Sequence, residues 1–416
     1  MNILWVKSGP LFPLNTGGLR RTHSMLHELA RSHEVTYMAL LPVGKRLAEG
    51  EFEAPYAKEK IWIPAHEPSK NTVSFYFALA WNLLFSTAPY ILDRYRNHEL
   101  AEKLIELDES EAFDVIICDF LTPAINFDQG RIKTPTILFQ HNVEAQIWKR
   151  LAEEQSNPIT RLYFRDQYRR MWTFERLLSR GFDGVITVSP EDAELSTSDY
   201  GLSNVVGAVP TGVNTKFFTA PKSRTPETGL IGFLGSMDWM PNIECVNYFV
   251  AEIFPKILRE HPSAKFRIIG RDPTPAVQRL ATHYTNVEVT GTVDDVRPHL
   301  DACEVLVVPL RSGGGTRIKI FEAMAQGVPV VSTTVGAEGL PVIDGKTILI
   351  ADETNDFAQK VCQILETSDK GEKMATRARN QLVDSHSWEA VADAFLELII
   401  PTVKVSRSPE TAKSKD

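Results

Sequence analysis

Residues 2–40, NILWVKSGPLFPLNTGGLRRTHSMLHELARSHEVTYMAL, contain the clearest pattern for the fold class. It starts with an apolar run at 2–6 and passes through a loop that ends in Gly17 and Gly18. A helical pattern over 19–31 and a second apolar run at 34–40 follow. Apolar runs of this length on either side of a helical pattern predict a strand, a helix and a strand. We therefore predict that the chain opens with a βαβ unit.

The same alternation continues through the first half of the chain. Further short apolar runs, bounded by turns and separated by helical patterns, lie at Asp114–Cys118, Thr136–Phe139 and Gly184–Val188. Strands that alternate with helices predict a parallel sheet covered on both faces. We expect this sheet to be doubly wound.

A second α/β cycle follows a polar stretch with two prolines at 219–228, which is typical of a linker. Strands are predicted at Leu230–Leu234, Lys265–Ile269, Val287–Val289, Val305–Val308 and Val328–Ser332. Helices are predicted near Ile243–Arg259, Pro275–Tyr284, Val296–Ala302 and Arg317–Gln326. In such sheets ligands bind beyond the carboxyl ends of the strands.

These patterns give a complete domain prediction for the 416 residues, which exceed what one core usually organises. The predicted parts are an N-terminal Rossmann-like domain at 1–215, a linker at 216–228, a C-terminal Rossmann-like domain at 229–386, a helix at 387–400 and a disordered tail at 401–416. The helix is amphipathic, so we expect it to dock back on the N-terminal domain.

Composition narrows the classes of function. A net charge of −8 argues against a general nucleic-acid binder. The cysteines are scattered through apolar runs and predict reduced core residues, at Cys118, Cys245, Cys303 and Cys362. The N-terminus starts directly on a strand without a basic leader, which predicts a cytoplasmic protein.

The run GGGTRIKIFEAMAQGVPVV, residues 313–331, concentrates the candidate chemistry. Its glycines let backbone approach a ligand closely, and the start of the following helix suits a phosphate. Arg317, Lys319 and Glu322 follow within two turns, and a diphosphate with an attached ribose would use all three. The alternative is a plain strand-to-helix turn in which Glu322 is the i,i+3 partner of Lys319.

Several motifs together resemble a known family. They are the G-G loop at Gly17 and Gly18, the HEVT strand, the His141-Asn142-Val143-Glu144 segment, the VPTGVN run at 209–214 and E-A-M-A-x-G-x-P-V-V at 322–331. This set resembles retaining nucleotide-sugar glycosyltransferases of the GT-B fold, specifically glycosyltransferase family 4, over nearly the whole chain. The resemblance implies two Rossmann-like domains facing each other across a cleft. It also implies transfer of a sugar with retention at the anomeric carbon.

The resemblance also implies roles for individual residues at the donor. Glu322 would hold the donor ribose, which suits a carboxylate because it can accept from two hydroxyls. Gly17 and Gly18 would pass near the diphosphate. The glutamate that relatives carry eight positions before Glu322 is here Gly314. Donor contacts would therefore come from the backbone of Gly313, Gly314, Gly315 and Thr316.

A second departure concerns the cations. Many relatives place Arg and Lys after the first strand of the second domain, where this chain has GSMDWMPN at 235–242. Charge on the departing diphosphate needs stabilisation. Arg317 and Lys319 are the only cations of the glycine-rich motif, so we assign them that role. Both reach one diphosphate only if Arg317 precedes the first helical turn.

His141 matches a histidine that lies near the anomeric centre in relatives. It follows a predicted strand and would donate to a sugar hydroxyl or relay a proton. A histidine satisfied within a loop is the alternative. The usual following aspartate is Asn142 here, and Glu144 is the nearby carboxylate.

The chain contains no D-x-D suited to bridging a cation and a diphosphate, no H-E-x-x-H and no Cys/His cluster. We therefore predict that the protein needs neither a metal nor a cofactor. The resemblance implies a hexosyltransferase with a nucleotide diphosphate sugar as co-substrate. The expected acceptor is a glycan or a lipid-linked molecule, in cell-surface polysaccharide or glycolipid biosynthesis.

Two features of the sequence bear on a membrane contact: a charge-free stretch at 71–92 and the arginines of a later predicted helix. The polar residues interleaved in 71–92 favour a buried or surface helix over a membrane span. Arg161, Arg165, Arg169 and Arg170 would meet anionic lipid heads, or would form an ordinary solvated face. Our hypothesis is a peripheral contact with the inner membrane face.

Other classes of protein stay open. A nucleotide-sugar epimerase of the same fold would share the diphosphate and ribose contacts. A non-catalytic nucleotide-sugar-binding protein would bind the donor without consuming it. A nicotinamide dehydrogenase is disfavoured because no G-x-G-x-x-G follows the first strand.

Overall fold

The structure is a computed structural model, which describes residues 1–14, 16–48, 50–66, 72–155, 157–221, 224–312 and 317–406. It divides into two compact units, the first comprising Met1–Pro210 and the chain from Val391, the second Thr211–Ala390. The division falls after Pro210, whereas the sequence placed the end of the first domain at 215. Residues 222 and 223 of the predicted linker lie outside the described residues.

The first unit is built on a parallel sheet in the order β3-β2-β1-β4-β5-β6-β7. Its strands are β1 (Asn2–Lys7), β2 (Glu34–Pro42), β3 (Glu59–Ala65), β4 (Val115–Asp119), β5 (Thr136–Phe139), β6 (Gly184–Thr187) and β7 (Val205–Ala208). Its helices are α1 (Gly17–Leu29), α2 (Val73–Phe85), α3 (Tyr90–Asp93), α4 (His98–Glu109), α5 (Glu144–Glu154), α6 (Pro158–Gly181) and α7 (Pro190–Ser198). The strand order reverses between β1 and β4, so this is a doubly wound sheet with its switch point there.

The second unit is built on a parallel sheet in the order β10-β9-β8-β11-β12-β13. Its strands are β8 (Leu230–Leu234), β9 (Lys265–Ile269), β10 (Val287–Gly291), β11 (Val305–Val308), β12 (Val330–Ser332) and β13 (Leu349–Ile350). Its helices are α8 (Met240–Tyr248), α9 (Phe254–Glu260), α10 (Pro275–His283), α11 (Arg297–Ala302), α12 (Ile318–Ala325), α13 (Thr354–Glu366) and α14 (Ser368–His386). The prediction of two Rossmann-like parallel-sheet units is confirmed.

Three strands have no counterpart in the prediction: β3, β7 and β13. All three lie at sheet edges, where one side of the strand has no partner and an all-apolar run is not required. β7 reads VVGA and is half-buried throughout, and β13 has two residues. Edge strands of this kind lack the continuous apolar signature that revealed the central ones.

The last helix, α15 (Trp388–Ser406), runs past the predicted end at 400. Phe395 packs against Trp5 and Phe139 of the first unit, with ring centroids 5.8 and 5.2 Å away. The helix passes through Pro401 to Val403, which is buried. The prediction of a disordered tail from 401 is therefore wrong for 401–406, and its remainder, 407–416, lies outside the described residues.

Candidate active site

A buried charged cluster lies at the carboxyl ends of three neighbouring strands of the first unit. β1 ends at Lys7, β4 ends at Asp119, and His141 follows β5 by two residues. Val6 pairs with Cys118, and Asp119 pairs with Phe139, so the register brings these strand ends side by side. Lys7 Nζ and His141 Nε2 each lie 2.7 Å from a different oxygen of the Asp119 carboxylate.

Phe120 forms the wall of this cluster. Its φ is +75°, in a region that bulky side chains rarely enter, and such local strain is often found at functional sites. Its ring stacks on the His141 ring with centroids 3.9 Å apart, and Lys7 Nζ lies 4.2 Å from its centre. A Cβ on Gly18 would come within 2.8 Å of the Phe120 ring. Gly18 is therefore required where α1 passes this aromatic side chain.

The glycines predicted to form a loop before α1 belong to the helix itself, which corrects the predicted start at Leu19. Gly17 and Gly18 are its first two residues, and Thr16 caps it by accepting from the Leu19 N–H at 3.3 Å. Their N–H groups therefore lie in the first helical turn, where helix geometry leaves donors unused within the helix. That position suits an anion better than a free loop does.

The electrostatics of His141 follow from its burial. Only 4% of the residue is exposed, and burial lowers its pKa to about 4 although Asp119 opposes this shift. The imidazole is therefore neutral near pH 7. Burial alone would raise the pKa of Asp119, but Lys7 and His141 together hold it below its ordinary value, so the carboxylate is ionised.

In the second unit, α12 begins where the glycine-rich run ends. Gly313, Gly314, Gly315 and Thr316 lie outside the described residues, so their predicted donor contacts stay predictions. Arg317 is the N-cap, with φ −80° and ψ 60°, and Ile318 is the first helical residue. Arg317 thus precedes the first helical turn, which is the condition set above for Arg317 and Lys319 to reach one diphosphate.

Lys319 packs against the loop that follows β8 and begins at Gly235. Its Nζ donates to Asn242 Oδ1 at 2.7 Å and lies 4.3 Å from the centre of the Phe233 ring. Burial lowers the pKa of Lys319 to about 8. A Cβ on Gly235 would come within 2.8 Å of Nζ, so this glycine keeps the ammonium close to the backbone of the loop.

Arg317 and Glu322 complete the set on α12. Arg317 is buried, its Nη2 donates to Val335 O at 3.3 Å, and burial lowers its pKa. Glu322 is half-buried one helical turn beyond Lys319. After the helix, Gly327 takes a φ of +73°, which ends it as a glycine C-cap does and turns the chain into β12. The helix therefore presents Arg317, Lys319 and Glu322 within two turns.

Sequence reasoning missed Lys7, Asp119, Phe120 and Asn242. Lys7 and Asp119 stand at the ends of apolar strands, and a charge at the carboxyl end of a buried parallel strand is the signal that could have identified them. Phe120 and Asn242 carry no comparable signal, since one depends on an unusual φ and the other on the position of Lys319.

The described residues contain no group of three His, Cys, Asp or Glu side chains that could hold a metal ion. Metal independence stays a prediction. The four cysteines are buried and free, as predicted.

Comparison with known proteins gives matches along most of the chain. Residues 16–217 match the family described as Glycosyltransferase Family 4, and residues 228–367 match the family described as Glycosyl transferases group 1. The lipopolysaccharide core biosynthesis glycosyltransferase LpsE of Rhizobium meliloti is 34% identical over 27% of this chain and 34% of its own length.

A GDP-mannose-dependent phosphatidylinositol monomannoside mannosyltransferase of Mycobacterium tuberculosis is 26% identical over 54% of this chain. The match covers 63% of that protein, so the chain spans less than two thirds of either curated relative.

Solved structures agree on the fold. Sucrose-phosphate synthase from Thermosynechococcus elongatus has a TM-score of 0.65 at 18% identity, covering 97% of this chain and all of that one. Anabaena HepE in complex with UDP has a TM-score of 0.63 at 13% identity, covering 96% and 99%. The chain is a glycosyltransferase of the GT-B fold. Residues 16–217, slightly under half of the chain, resemble glycosyltransferase family 4.

Proposed function

We propose that this protein transfers a hexosyl group from a nucleotide diphosphate sugar to a glycan or lipid-linked acceptor, with retention and without a metal ion. The observation that carries the proposal is the start of α12, where buried Arg317 and half-buried Lys319 flank the first helical residue. Two cations beside unused helical N–H groups suit a diphosphate. Glu322, one turn further, is the acceptor for the ribose hydroxyls.

In the proposed reaction, the bond between the anomeric carbon and the phosphate oxygen breaks while the acceptor oxygen bonds to that carbon on the same face. The acceptor proton passes to the departing phosphate oxygen. Arg317 and Lys319 stabilise the charge that builds up on the diphosphate. His141 contacts a substrate hydroxyl.

The relatives support this assignment at the level of chemistry. HepE was solved with UDP, and the mycobacterial relative is described as GDP-mannose-dependent. Both ligands carry a ribose on a diphosphate, the two groups for which α12 offers partners. Lipopolysaccharide and phosphatidylinositol mannoside in the relatives' names favour a role in cell-surface polysaccharide or glycolipid biosynthesis.

Donor binding is the first test. Thermal unfolding would be followed with UDP, GDP and their hexose conjugates, because a ligand of the native state raises the midpoint. We expect one nucleotide series to stabilise the protein, and Lys319→Met to lose that shift. Lys256→Met is the matched control, since Lys256 Nζ also donates to an asparagine, Asn355 Oδ1, at 2.6 Å. Equal shifts in both variants would contradict the proposed donor site.

Turnover of the stabilising donor then separates the proposal from its alternatives. Donor with a glycan or lipid-linked acceptor should yield nucleotide diphosphate and a product that NMR identifies as having the donor's anomeric configuration. An isomerised nucleotide sugar without acceptor would indicate an epimerase. Binding without any turnover would indicate a non-catalytic protein, and an inverted product would overturn retention.

A peripheral membrane contact is the second part of the proposal, and it rests on α2. This helix carries no charged residue, and Phe77, Trp81 and Leu84 are 68%, 56% and 73% exposed. The Phe77 and Phe85 rings lie 6.2 and 4.4 Å from that of Trp81, which makes a continuous aromatic ridge. Exposed apolar patches of this kind are typical of interaction surfaces, and tryptophan suits a lipid interface.

The neighbouring helix α6 supplies the charge that favours a lipid partner. Arg170 donates to the Asn82, Leu83 and Ser86 carbonyls at the end of α2, which ties the two helices together. Exposed arginines and exposed apolar residues alternate on the first half of α6, at Ile159, Arg161, Leu162, Arg165 and Arg169. Aromatic and basic groups side by side match an anionic bilayer surface. Among the described residues, no helix is both long enough and apolar enough to cross a bilayer.

Vesicle sedimentation tests this contact. We expect binding to vesicles that contain phosphatidylglycerol, weaker binding to phosphatidylcholine alone, and a decrease with salt. Replacing Phe77, Trp81 and Leu84 by serine should abolish binding. Phe52→Ser, at a residue of the same unit that is 72% exposed, should not. If the protein does not sediment with anionic vesicles, the membrane contact is contradicted and the transferase proposal is unaffected.

A further inference from the structure

Asp119, rather than His141, is the centre of the buried cluster in the first unit. Its Oδ2 accepts from Trp5 Nε1 at 3.0 Å, Lys7 Nζ at 2.7 Å and Thr22 Oγ1 at 2.6 Å. Its Oδ1 lies 2.7 Å from His141 Nε2, in a contact that is bent rather than linear. One oxygen is thus saturated with donors, and the other is left for the imidazole.

Burying these charged groups costs free energy, which points to a role other than stability. Asp119 is fully buried, and Lys7 is 4% exposed. Burying an ion pair gains little net stability, and apolar side chains of similar volume often serve as well. Asp119, Lys7 and Thr22 are also not needed to pair the strands, because the backbone register of β1, β4 and β5 already does so.

The Asp119 carboxylate determines which ring nitrogen of His141 carries the proton. An ionised carboxylate can only accept hydrogen bonds. At 2.7 Å, an unprotonated Nε2 would place its lone pair against a negative oxygen, so Nε2 carries the hydrogen. In a neutral imidazole, Nδ1 is then the acceptor. Nδ1 is buried and has no hydrogen-bond partner among the residues that the structure describes.

The surrounding rings fix the direction in which Nδ1 points. Phe120 stacks on one face of the imidazole at 3.9 Å, and Phe139 meets it edge-on at 4.7 Å. Phe120 is itself held by its left-handed backbone and by the close approach of Gly18. The ring cannot turn over without losing the Asp119 contact or displacing Phe120.

We propose that Asp119 is a positioning residue that holds His141 in its Nε2–H tautomer, so that Nδ1 accepts a hydrogen bond from a substrate hydroxyl. Lys7 keeps the carboxylate ionised and thereby secures the tautomer. His141 therefore accepts from the substrate rather than donating to it. This inference rests on the proposed function, because it assumes that His141 meets a substrate hydroxyl.

The tautomer can be measured without any substrate. Long-range proton–nitrogen NMR of protein labelled with nitrogen-15 histidine distinguishes the two neutral forms, and the loss of a signal in His141→Gln assigns it. At pH 7 we expect the Nε2–H pattern in the wild-type protein and a mixed or Nδ1–H pattern in Asp119→Asn. An Nδ1–H pattern in the wild type would overturn the proposal even if the variant does not fold.

Asp108→Asn is the matched control. Asp108 is also a buried aspartate of the first unit, and it accepts from the Lys133 and Thr134 N–H groups at 2.9 and 2.8 Å, away from His141. It should leave the His141 signals unchanged. Identical tautomer patterns in the wild type and Asp119→Asn would also refute the positioning role.

Kinetics extend the test to function. If the wild type transfers sugar, Asp119→Asn should lower kcat by about 10-fold or more, with KM almost unchanged. This is the effect of losing the one hydrogen bond that His141 Nδ1 accepts from the substrate. Asp108→Asn should keep the wild-type kcat. A wild type with the expected tautomer but without transferase activity would refute the proposed function and not the positioning of His141. Full kcat in Asp119→Asn would refute a catalytic benefit of that positioning.

Discussion

Replacing Lys319 by methionine should make the protein more stable and unable to hold its donor. Lys319 is half-buried, and the burial of its ammonium group lowers its pKa from 10.5 to about 8. That difference corresponds to a cost of about 3 kcal/mol for keeping the ammonium charged at neutral pH. Methionine removes this cost but leaves Asn242 Oδ1, which accepts from Nζ at 2.7 Å, without its donor, a loss of about 1 kcal/mol.

The net expectation is a gain of about 2 kcal/mol in the free energy of unfolding of the second unit. For a unit of this size the thermal midpoint should rise by about 5 °C. The gain depends on pH. Between pH 8 and 10.5 the unfolded wild type binds more protons at Lys319 than the folded protein, so its stability rises with pH. The advantage of Lys319→Met should therefore disappear by about pH 10.5.

Donor binding should change in the opposite direction. A charge-assisted hydrogen bond to the diphosphate contributes about 1.5–3 kcal/mol, so the Kd should rise by about 10- to 100-fold. Scanning calorimetry from pH 7 to 10.5 and titration calorimetry with the stabilising nucleotide measure the two effects. Lys256→Met is again the control. Unchanged nucleotide affinity would refute the diphosphate role, and a lower midpoint at pH 7 would refute the burial cost.

Three further substitutions test other parts of the structure. Glu322→Gln should weaken UDP or GDP binding by about 10-fold in titration calorimetry but leave inorganic pyrophosphate, which has no ribose, unaffected; equal losses for both would argue against the ribose role. Gly18→Ala places a Cβ 2.8 Å from the Phe120 ring, and chemical unfolding should reveal a loss of about 1–3 kcal/mol, whereas wild-type stability would mean that the ring moves freely. Glu175→Ala should cost about 3–5 kcal/mol, because this buried carboxylate accepts from the first N–H groups of α5 at 2.7 and 2.9 Å and from the Tyr200 hydroxyl at 2.8 Å; a smaller cost would mean that water replaces it.

The candidate site was only partly predictable for a physical reason. Arg317, Lys319 and Glu322 lie on one short segment, so their spacing on α12 can be read locally. The predicted contacts at 313–316 lie outside the described residues. Asp119 and His141 are 22 positions apart in the chain, and they meet because β4 and β5 are neighbours in the sheet. No local sequence pattern records such a pairing.

Two parallel α/β sheets follow from the amino-acid sequence alone, because central buried strands are continuously apolar and helices alternate with them. The motif at 322–331 also carried the resemblance to nucleotide-sugar glycosyltransferases of the GT-B fold. Tertiary packing is what makes Gly17 and Gly18 helical, brings Asn242 to Lys319, and places Asp119 and Phe120 against His141. Those outcomes depend on strand register and on one unusual φ, and both arise from packing between segments that are distant in the chain.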